Sequence, residues 1–292
     1  MAYKTTLNRD LTIKHPAMRY HGGKWRLAKW VISHMPEHRK YVEPFGGAAG
    51  VLLQKEPAYC EVYNDLDSEV VNFFRVLRDP VLSQRLVDVC VLTPYARDEF
   101  ELAYEPTDDP VELARRMVVR ASMGFGSAGA TKNTTGFRID TERKYSTAMH
   151  LWARYPENIA ALGQRFAAVL IENRSAISVL QSHDADDCLH FVDPPYLPEV
   201  RSRSKEKMYF HEMSREDHQE LIEVLHSLKG MVMVCGYESE LYEQAFKGWT
   251  KVSTSARISA FRGTKTKTEC MWLSPSTTNA SNLSLLLQGV AA

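Results

Sequence analysis

Tyr41-Val42-Glu43-Pro44-Phe45-Gly46-Gly47-Ala48-Ala49-Gly50-Val51-Leu52-Leu53-Gln54-Lys55 decides how the rest of the chain is read. Tyr41 to Glu43 has the look of a short strand. It runs into a glycine turn, and Val51 to Lys55 reads as the start of a helix. A glycine turn lets a ligand approach the backbone closely, and a helix start offers free N–H groups. Tyr59 to Tyr63 reads as a second strand, ending at Asn64-Asp65. A carboxylate about 20 residues beyond such a turn, at the end of the second strand, suits the two hydroxyls of a ribose. Asp65 stands there. Glu69 to Arg78 follows with apolar Val70, Phe73, Phe74 and Leu77 at helical spacing. A strand-helix-strand opening of this kind implies a parallel sheet and an α/β fold.

Outward from this unit the character changes. Over residues 80–165 strand patterns disappear, and 81–91, 97–104 and 110–123 look helical. Gly124 to Asn133 is a polar, glycine-rich loop suited to ordering on a ligand. Residues 146–165 look helical again, with Trp152 and Phe166 facing a core. Alternation returns at Ala168 to Ile171, and Leu189 to Val192 is a short strand. Arg215 to Leu228 is an amphipathic helix, with Ser214 as N-cap and Asp217 three residues on. Met231 to Cys235 reads as a buried strand, Glu238 to Phe246 as a helix, and Cys270 to Leu273 as the last strand. Residues 1–18 are a loose lead-in. The tail from Ser274 is Ser/Thr/Asn-rich, then apolar.

Bulk properties narrow the class. The 292 residues are 44% hydrophobic and 25% charged, an ordinary globular balance. No apolar run reaches the roughly 18–20 residues that span a bilayer. Met1 to Asp10 lacks the apolar core of a signal peptide. The five cysteines, Cys60, Cys90, Cys188, Cys235 and Cys270, form no CxxC pair. That argues against disulfides and against a zinc site, and a reducing cytoplasm is expected. Net charge is +0, so bulk charge does not point to nucleic acid. Local basic clusters remain as candidates: Arg115, Arg116 and Arg120; Lys132, Arg138, Arg143 and Lys144; Arg201, Arg203, Lys205 and Lys207.

A second chemical site follows the strand at Leu189 to Val192. Asp193-Pro194-Pro195-Tyr196 sits where α/β sheets place ligands, at the carboxyl end of a strand. Two prolines fix φ and remove two backbone donors, which stiffens the loop and leaves its carbonyls free to accept. Asp193 and the Pro194 carbonyl can both accept from an amino group. Tyr196 offers a flat face on which a base can stack. The glycine turn alone serves NAD and S-adenosylmethionine equally; an amine-accepting loop favours the second. A third stretch, Arg19-Tyr20-His21-Gly22-Gly23-Lys24, could hold a carboxylate or a phosphate ahead of a helix, or simply turn into that helix.

Taken in order, Arg19 to Lys24, Val42 to Gly47, Asn64-Asp65 and Asp193 to Tyr196 resemble the Dam-type, D12 class DNA adenine-N6 methyltransferases, over roughly residues 17–273. Gly236 to Tyr242 and Thr268 to Leu273 look similar to phage and prophage members. The resemblance implies a Rossmann-like S-adenosylmethionine-dependent methyltransferase fold with a mainly helical target-recognition insert. The catalytic domain would comprise 17–79 and 166–273, the insert 80–165, and 274–292 a tail of unknown role. By position, Tyr20, Lys24, Glu43, Phe45, Gly46, Gly47 and Asp65 would line the cofactor, joined by Asp193 and by Glu172 or Asn173 at its adenine. Asp193, Pro194 and Tyr196 would hold a flipped-out adenine. Lys132, Asn133, Arg138, Arg201 and Arg203 are the expected contacts to double-stranded DNA. Two departures stand out. The family's turn usually reads Phe-x-Gly-x-Gly, and Ala49 takes the last position, which leaves open whether a methyl group there weakens cofactor binding. Arg174 stands where related chains often carry an acid.

The implied reaction is direct transfer of a methyl group to N6 of an adenine lifted from the duplex. No covalent enzyme intermediate, catalytic cysteine or metal is expected, and a monomer in solution is. On this reading Tyr196→Phe is mild. Cytosine-N4 enzymes usually carry Ser at the first loop position, and glutamine or RNA enzymes Asn. A silent DNA-binding homologue is the rival that Ala49 suggests. A dehydrogenase would leave the proline loop without a task.

Overall fold

The computed structural model describes residues 13–131, 134–139, 147–201, 208–260 and 263–290, with backbone alone for 257–260, 263–265 and 283–290. Seven strands are named: β1 (Lys40–Glu43), β2 (Cys60–Asn64), β3 (Val169–Glu172), β4 (Cys188–Val192), β5 (Met231–Gly236), β6 (Thr250–Ala260) and β7 (Gly263–Leu273). They form one sheet in the order β3-β2-β1-β4-β5-β7-β6. The first five are parallel, and β7 runs antiparallel to β5 and to β6. This is the Rossmann-like methyltransferase arrangement. From β1 the chain moves outward to β2 and β3, then returns to place β4 on the other flank of β1. Ligands bind at such a reversal, outside the carboxyl ends of the strands.

The sheet is covered on both faces, as parallel sheets must be. Strand alternation sends Met231, Met233 and Cys235 of β5 into one hydrophobic cluster and Val232 and Val234 into another. The first cluster is built with α2 (Ser68–Arg78), α3 (Pro80–Leu92), α5 (Pro110–Met123) and α7 (Pro156–Phe166), joined by α1 (Ala28–Ile32), α4 (Arg97–Leu102) and α6 (Ala148–Ala153). Phe74 of α2 stacks on Phe166 of α7 at 4.3 Å. Residues 80–165 thus share one core with the strands, and 80 and 165 mark no break in packing. The second cluster belongs to α8 (Ala176–His183), α9 (Arg215–Ser227) and α10 (Glu240–Ala245). Ser214 and Asp217 close a capping box on α9, as their spacing predicts.

Three local expectations are corrected. Val51 to Lys55 makes a single hydrogen-bonded turn and no helix. Pro57 follows at once and turns its neighbour away from helical backbone. The stretch 146–165 is two helices, because Pro156 starts a new one. The last strand is eleven residues long and pairs with an equally long β6 that the polar sequence concealed. The tail becomes α11 (Pro275–Val290), docked by Ser274 and Thr277 onto the backbone of Val232.

The turn at 51–58 is fixed by charge. Buried Glu61 of β2 takes Lys55 at 2.6 Å and Arg165 of α7 at 2.5 and 2.9 Å, and Arg165 also donates to the Leu52 carbonyl at 2.7 Å. Burial works against ionisation of Glu61, but its two cations hold the carboxyl below the ordinary range. A lowered carboxyl pKa gives stability that is present above the unfolded value of about 4.3 and is lost as pH falls through the folded value. Removing one partner of a buried pair costs about 3–5 kcal/mol. We therefore expect Glu61→Gln to lower unfolding free energy by about 3 kcal/mol or more in urea titrations at pH 7, with a smaller difference at pH 4.

Candidate active site

The turn after β1 is bound to the end of β2. Gly46 N–H donates to the Asn64 carbonyl at 2.8 Å, and the Asn64 amide donates to the Pro44 carbonyl at 2.8 Å. Tyr63 Oη donates to the Gly47 carbonyl at 2.6 Å, and Gly47 N–H donates to Asp65 at 2.8 Å. A Cβ on Gly46 would stand 2.1 Å from the Tyr63 ring, and one on Gly50 2.7 Å from the Trp25 nitrogen. Glycine is therefore required for close packing at both places. Gly47 has φ +46 and its open face meets the Tyr20 ring.

Ala49 has φ +54, the left-handed region that suits glycine. Its side chain is fully buried in the first core cluster. The departure from the glycine pattern thus strains the backbone and adds a methyl group to the core.

Asp65 accepts from the backbone of Gly47 and of Asp67, and burial pushes its carboxyl up to about 6. Half-buried Tyr20 lies near it. Glu43 is buried at the end of β1, accepts from Tyr41 Oη and Leu52 N–H, and is raised to about 8 by burial. Asn173 donates to the carbonyls of Asp65 and Leu66, which puts it beside the acid. Glu172 pairs with Arg174 at 3.0 Å and His183 at 3.2 Å. Phe45 packs half-buried against the second cluster.

Next to this turn, because β4 neighbours β1, stands the proline loop. Lys24 Nζ lies 2.7 Å from Asp193 and 3.4 Å from Glu269 of β7, and 4.8 Å from the centre of the Tyr196 ring. Tyr196 Oη donates to Glu269. Tyr237, just past β5, meets the Tyr196 ring edge-on at 4.7 Å, and Lys267 Nζ sits 3.6 Å from the centre of the Tyr237 ring. Burial and Glu269 push the Asp193 carboxyl up, while Lys24 opposes them. Asp193, Cys235 and Glu269 could in principle share an ion. Lys24 Nζ already stands within reach of both carboxylates, so the group reads as an ion-pair network. Behind the loop, buried His218 of α9 contacts Tyr242 Oη at 3.0 Å and the Pro195 backbone, and burial lowers its pKa to about 4, so it is neutral there.

The fold gathers Tyr20, Lys24, Glu43, Phe45, Gly46, Gly47, Asp65, Asp193, Pro194 and Tyr196, the residues expected to hold cofactor and base, at one edge. Sequence reasoning missed Glu269, Tyr237 and His218. Tyr237 and Glu269 lie in the two late stretches that resemble phage and prophage members, but no role was read from them, and His218 was only one residue of an amphipathic helix. The expected DNA contacts fare differently. Arg201 donates to the Tyr196 carbonyl and pairs with Glu212 at 2.7 Å, which makes it a brace for the loop. Arg138 is buried, its backbone bonded to Met123 and Tyr95. Arg115, Arg116 and Arg120 are occupied by Glu99, Glu112 and Glu69. Lys132, Asn133 and Arg203 lie outside the described residues, as do Arg143, Lys144, Lys205 and Lys207. The glycine-rich loop itself folds against the third motif, with Arg19 donating to the Gly126 carbonyl and Ser127 near His21 at 3.4 Å.

A glycine turn with Asp65 at its edge thus stands beside a strand-end Asp-Pro-Pro-Tyr loop on a Rossmann-like sheet, the arrangement of an amino methyltransferase. Residues 20–260 match the D12 class N6 adenine-specific DNA methyltransferases, and the chain belongs to that family. It is 25% identical over 248 residues to the type II methyltransferase M1.LlaDCHI of Lactococcus lactis subsp. cremoris, covering 80% of this chain and 84% of that one. It is 24% identical over 191 residues to the DNA adenine methylase of Vibrio cholerae serotype O1, covering 62% of this chain and 65% of that one.

Two outcomes are expected. Left-handed backbone costs alanine roughly 1–2 kcal/mol, of which glycine's larger unfolded freedom returns roughly 0.5–1. Losing the buried methyl costs roughly 0.8 kcal/mol more, so Ala49→Gly should leave the midpoint of thermal unfolding within about 2–4 °C of the parent's, and a large drop would contradict the strain. A charge-assisted hydrogen bond is worth about 1.5–3 kcal/mol. Glu269→Gln should slow single-turnover methyl transfer by about 10- to 100-fold. A rate equal to the parent's would reduce Glu269 to filler. Tyr196→Phe leaves Glu269 with Lys24 as its remaining partner, so its single-turnover rate should fall less than that of Glu269→Gln.

Proposed function

We propose that the protein is a site-specific DNA adenine-N6 methyltransferase that uses S-adenosyl-L-methionine and acts on an adenine flipped out of double-stranded DNA. The single observation that carries this is the Asp193 to Tyr196 loop, held at the end of β4 beside the β1 turn and its Asp65.

The residues present suit that cofactor chemically. Asp65 is the acid for a ribose diol, with Tyr20, Phe45, Gly46, Gly47, Glu172 and Asn173 around it. Lys24 is the cation for a carboxylate. Glu43, Asp193 and Glu269 gather acidic groups that would suit the positive charge of the cofactor's amine and sulfonium. When bound, S-adenosylmethionine supplies an electrophilic methyl group. Everything else belongs to this chain. Asp193 and the Pro194 carbonyl accept hydrogen bonds from the N6 amine and turn its lone pair outward. Tyr196 supports the base plane, with its ring held by Glu269 and Tyr237. Two prolines and the His218 contact keep the loop from yielding, so orientation and electrostatics carry most of the acceleration. Asp193 acts as acceptor and not as strong base, because the amine becomes acidic only once methylated. Residues 80–165 are the proposed target-recognition segment, with Lys132, Asn133 and Arg138 as its candidate contacts; after the catalytic loop Arg203 is a further candidate and Arg201 a support.

Asp193→Ala should abolish methylation of DNA while thermal unfolding stays cooperative. Methylome sequencing of cells expressing the parent chain should show N6-methyladenine in one sequence context. Modified cytosine would move the assignment to a cytosine-N4 enzyme, and bound DNA without cofactor binding would make it a silent homologue.

A further inference from the structure

β6 and β7 pair with each other without interruption from Thr250↔Leu273 to Ala260↔Gly263. β5 pairs with β7 only over Cys270 to Leu273. Beyond Cys270 the two strands therefore form a ribbon that no other named strand flanks. It leaves the sheet at the carboxyl end of β5, which is the edge that carries the candidate site.

Its sequence is one-sided in charge. From Thr250 to Thr268 there are five cationic residues, Lys251, Arg257, Arg262, Lys265 and Lys267, and no acid, in a chain whose net charge is +0. Hydroxyl residues fill much of the rest. Ser253, Ser255, Thr266 and Thr268 are exposed. The register puts these on one face with Arg257, while Lys265 and Lys267 share the other face with Glu269. At the ribbon's root Lys267 bonds to the Val200 carbonyl, directly beyond the proline loop. Lys251 is the exception, drawn to Glu238 and Glu243 on the side away from the tip.

We propose that the β6–β7 ribbon is a DNA-backbone arm, which lies against phosphates next to the target adenine. Cations and hydroxyls are the groups that contact phosphate oxygens, and such contacts fix register on a duplex without reading bases. This rests on the DNA-methylating reading above. It adds a surface outside residues 80–165. Two-stranded ribbons fit the grooves and backbone of a duplex, and a rigid arm at the site edge would hold DNA while a base leaves the stack.

The test is the salt dependence of binding to a duplex of the chain's own methylation context. Each phosphate contact contributes about 0.9 to the slope of log affinity against log salt. Arg257→Gln should lower that slope by about 0.9 and weaken binding at low salt. Arg257→Lys should restore it. S-adenosylmethionine binding and the single-turnover rate at saturating DNA should stay at the parent's values, which also shows that the Gln variant is folded. A parent-like slope in the Gln variant overturns the arm. Failure of the parent itself to bind or methylate DNA overturns the reading it rests on.

Discussion

The hydrogen bonds between β1 and β4 are the constraint on which the site depends. The two strands are distant in sequence, and each ends in a loop built by different chemistry. One loop is glycine-rich and lies close to its neighbours; the other is stiffened by proline. Pairing the strands in parallel brings both ends, and so both loops, to one edge of the sheet. Helices on both faces then have to follow, because parallel strands are buried on both sides. The chain's length is largely the cost of that crossover and its covering.

Much of this was legible in the sequence. The strand-turn-strand from Tyr41 to Asp65, helices 80–92 and 110–123, and the Ser214 cap carry strong local signals: glycine, periodicity, capping side chains. The β6–β7 pair carries none, since its strands are polar and their pairing is a long-range fact. Val51 to Lys55 misled because an apolar pentapeptide suits a helix until Pro57 is weighed. Basic residues misled for a related reason. Arg115, Arg116, Arg120 and Arg201 look like DNA contacts in a string of letters, yet each has an acid within reach once folded. Charge is a property of a neighbourhood, and neighbourhoods come from topology.

Glu269 shows the same point inside the site. In sequence it is one acid in a strand. In the fold it is the second carboxylate within reach of Lys24 and the acceptor for Tyr196. A lysine between two carboxylates can shift toward one when the other is engaged, so the network would keep its charge balance if Asp193 takes on the acceptor role proposed for it. That also explains why three ionisable groups tolerate so little water: each has a partner, and an unpaired buried charge would cost far more.

Ala49 is the feature that suggests a silent homologue, and its side chain lies buried in the core. A methyl group facing the cradle would compete with a ligand for space. The methyl of Ala49 is instead part of the core, and the penalty is paid in φ. Strained backbone persists only where its surroundings over-determine it. Here those surroundings are Gly46 against Tyr63, Gly47 against Tyr20 and Gly50 against Trp25. The neighbours that force Ala49 into left-handed backbone are the same ones that shape the cradle, so the turn keeps its form without the usual glycine.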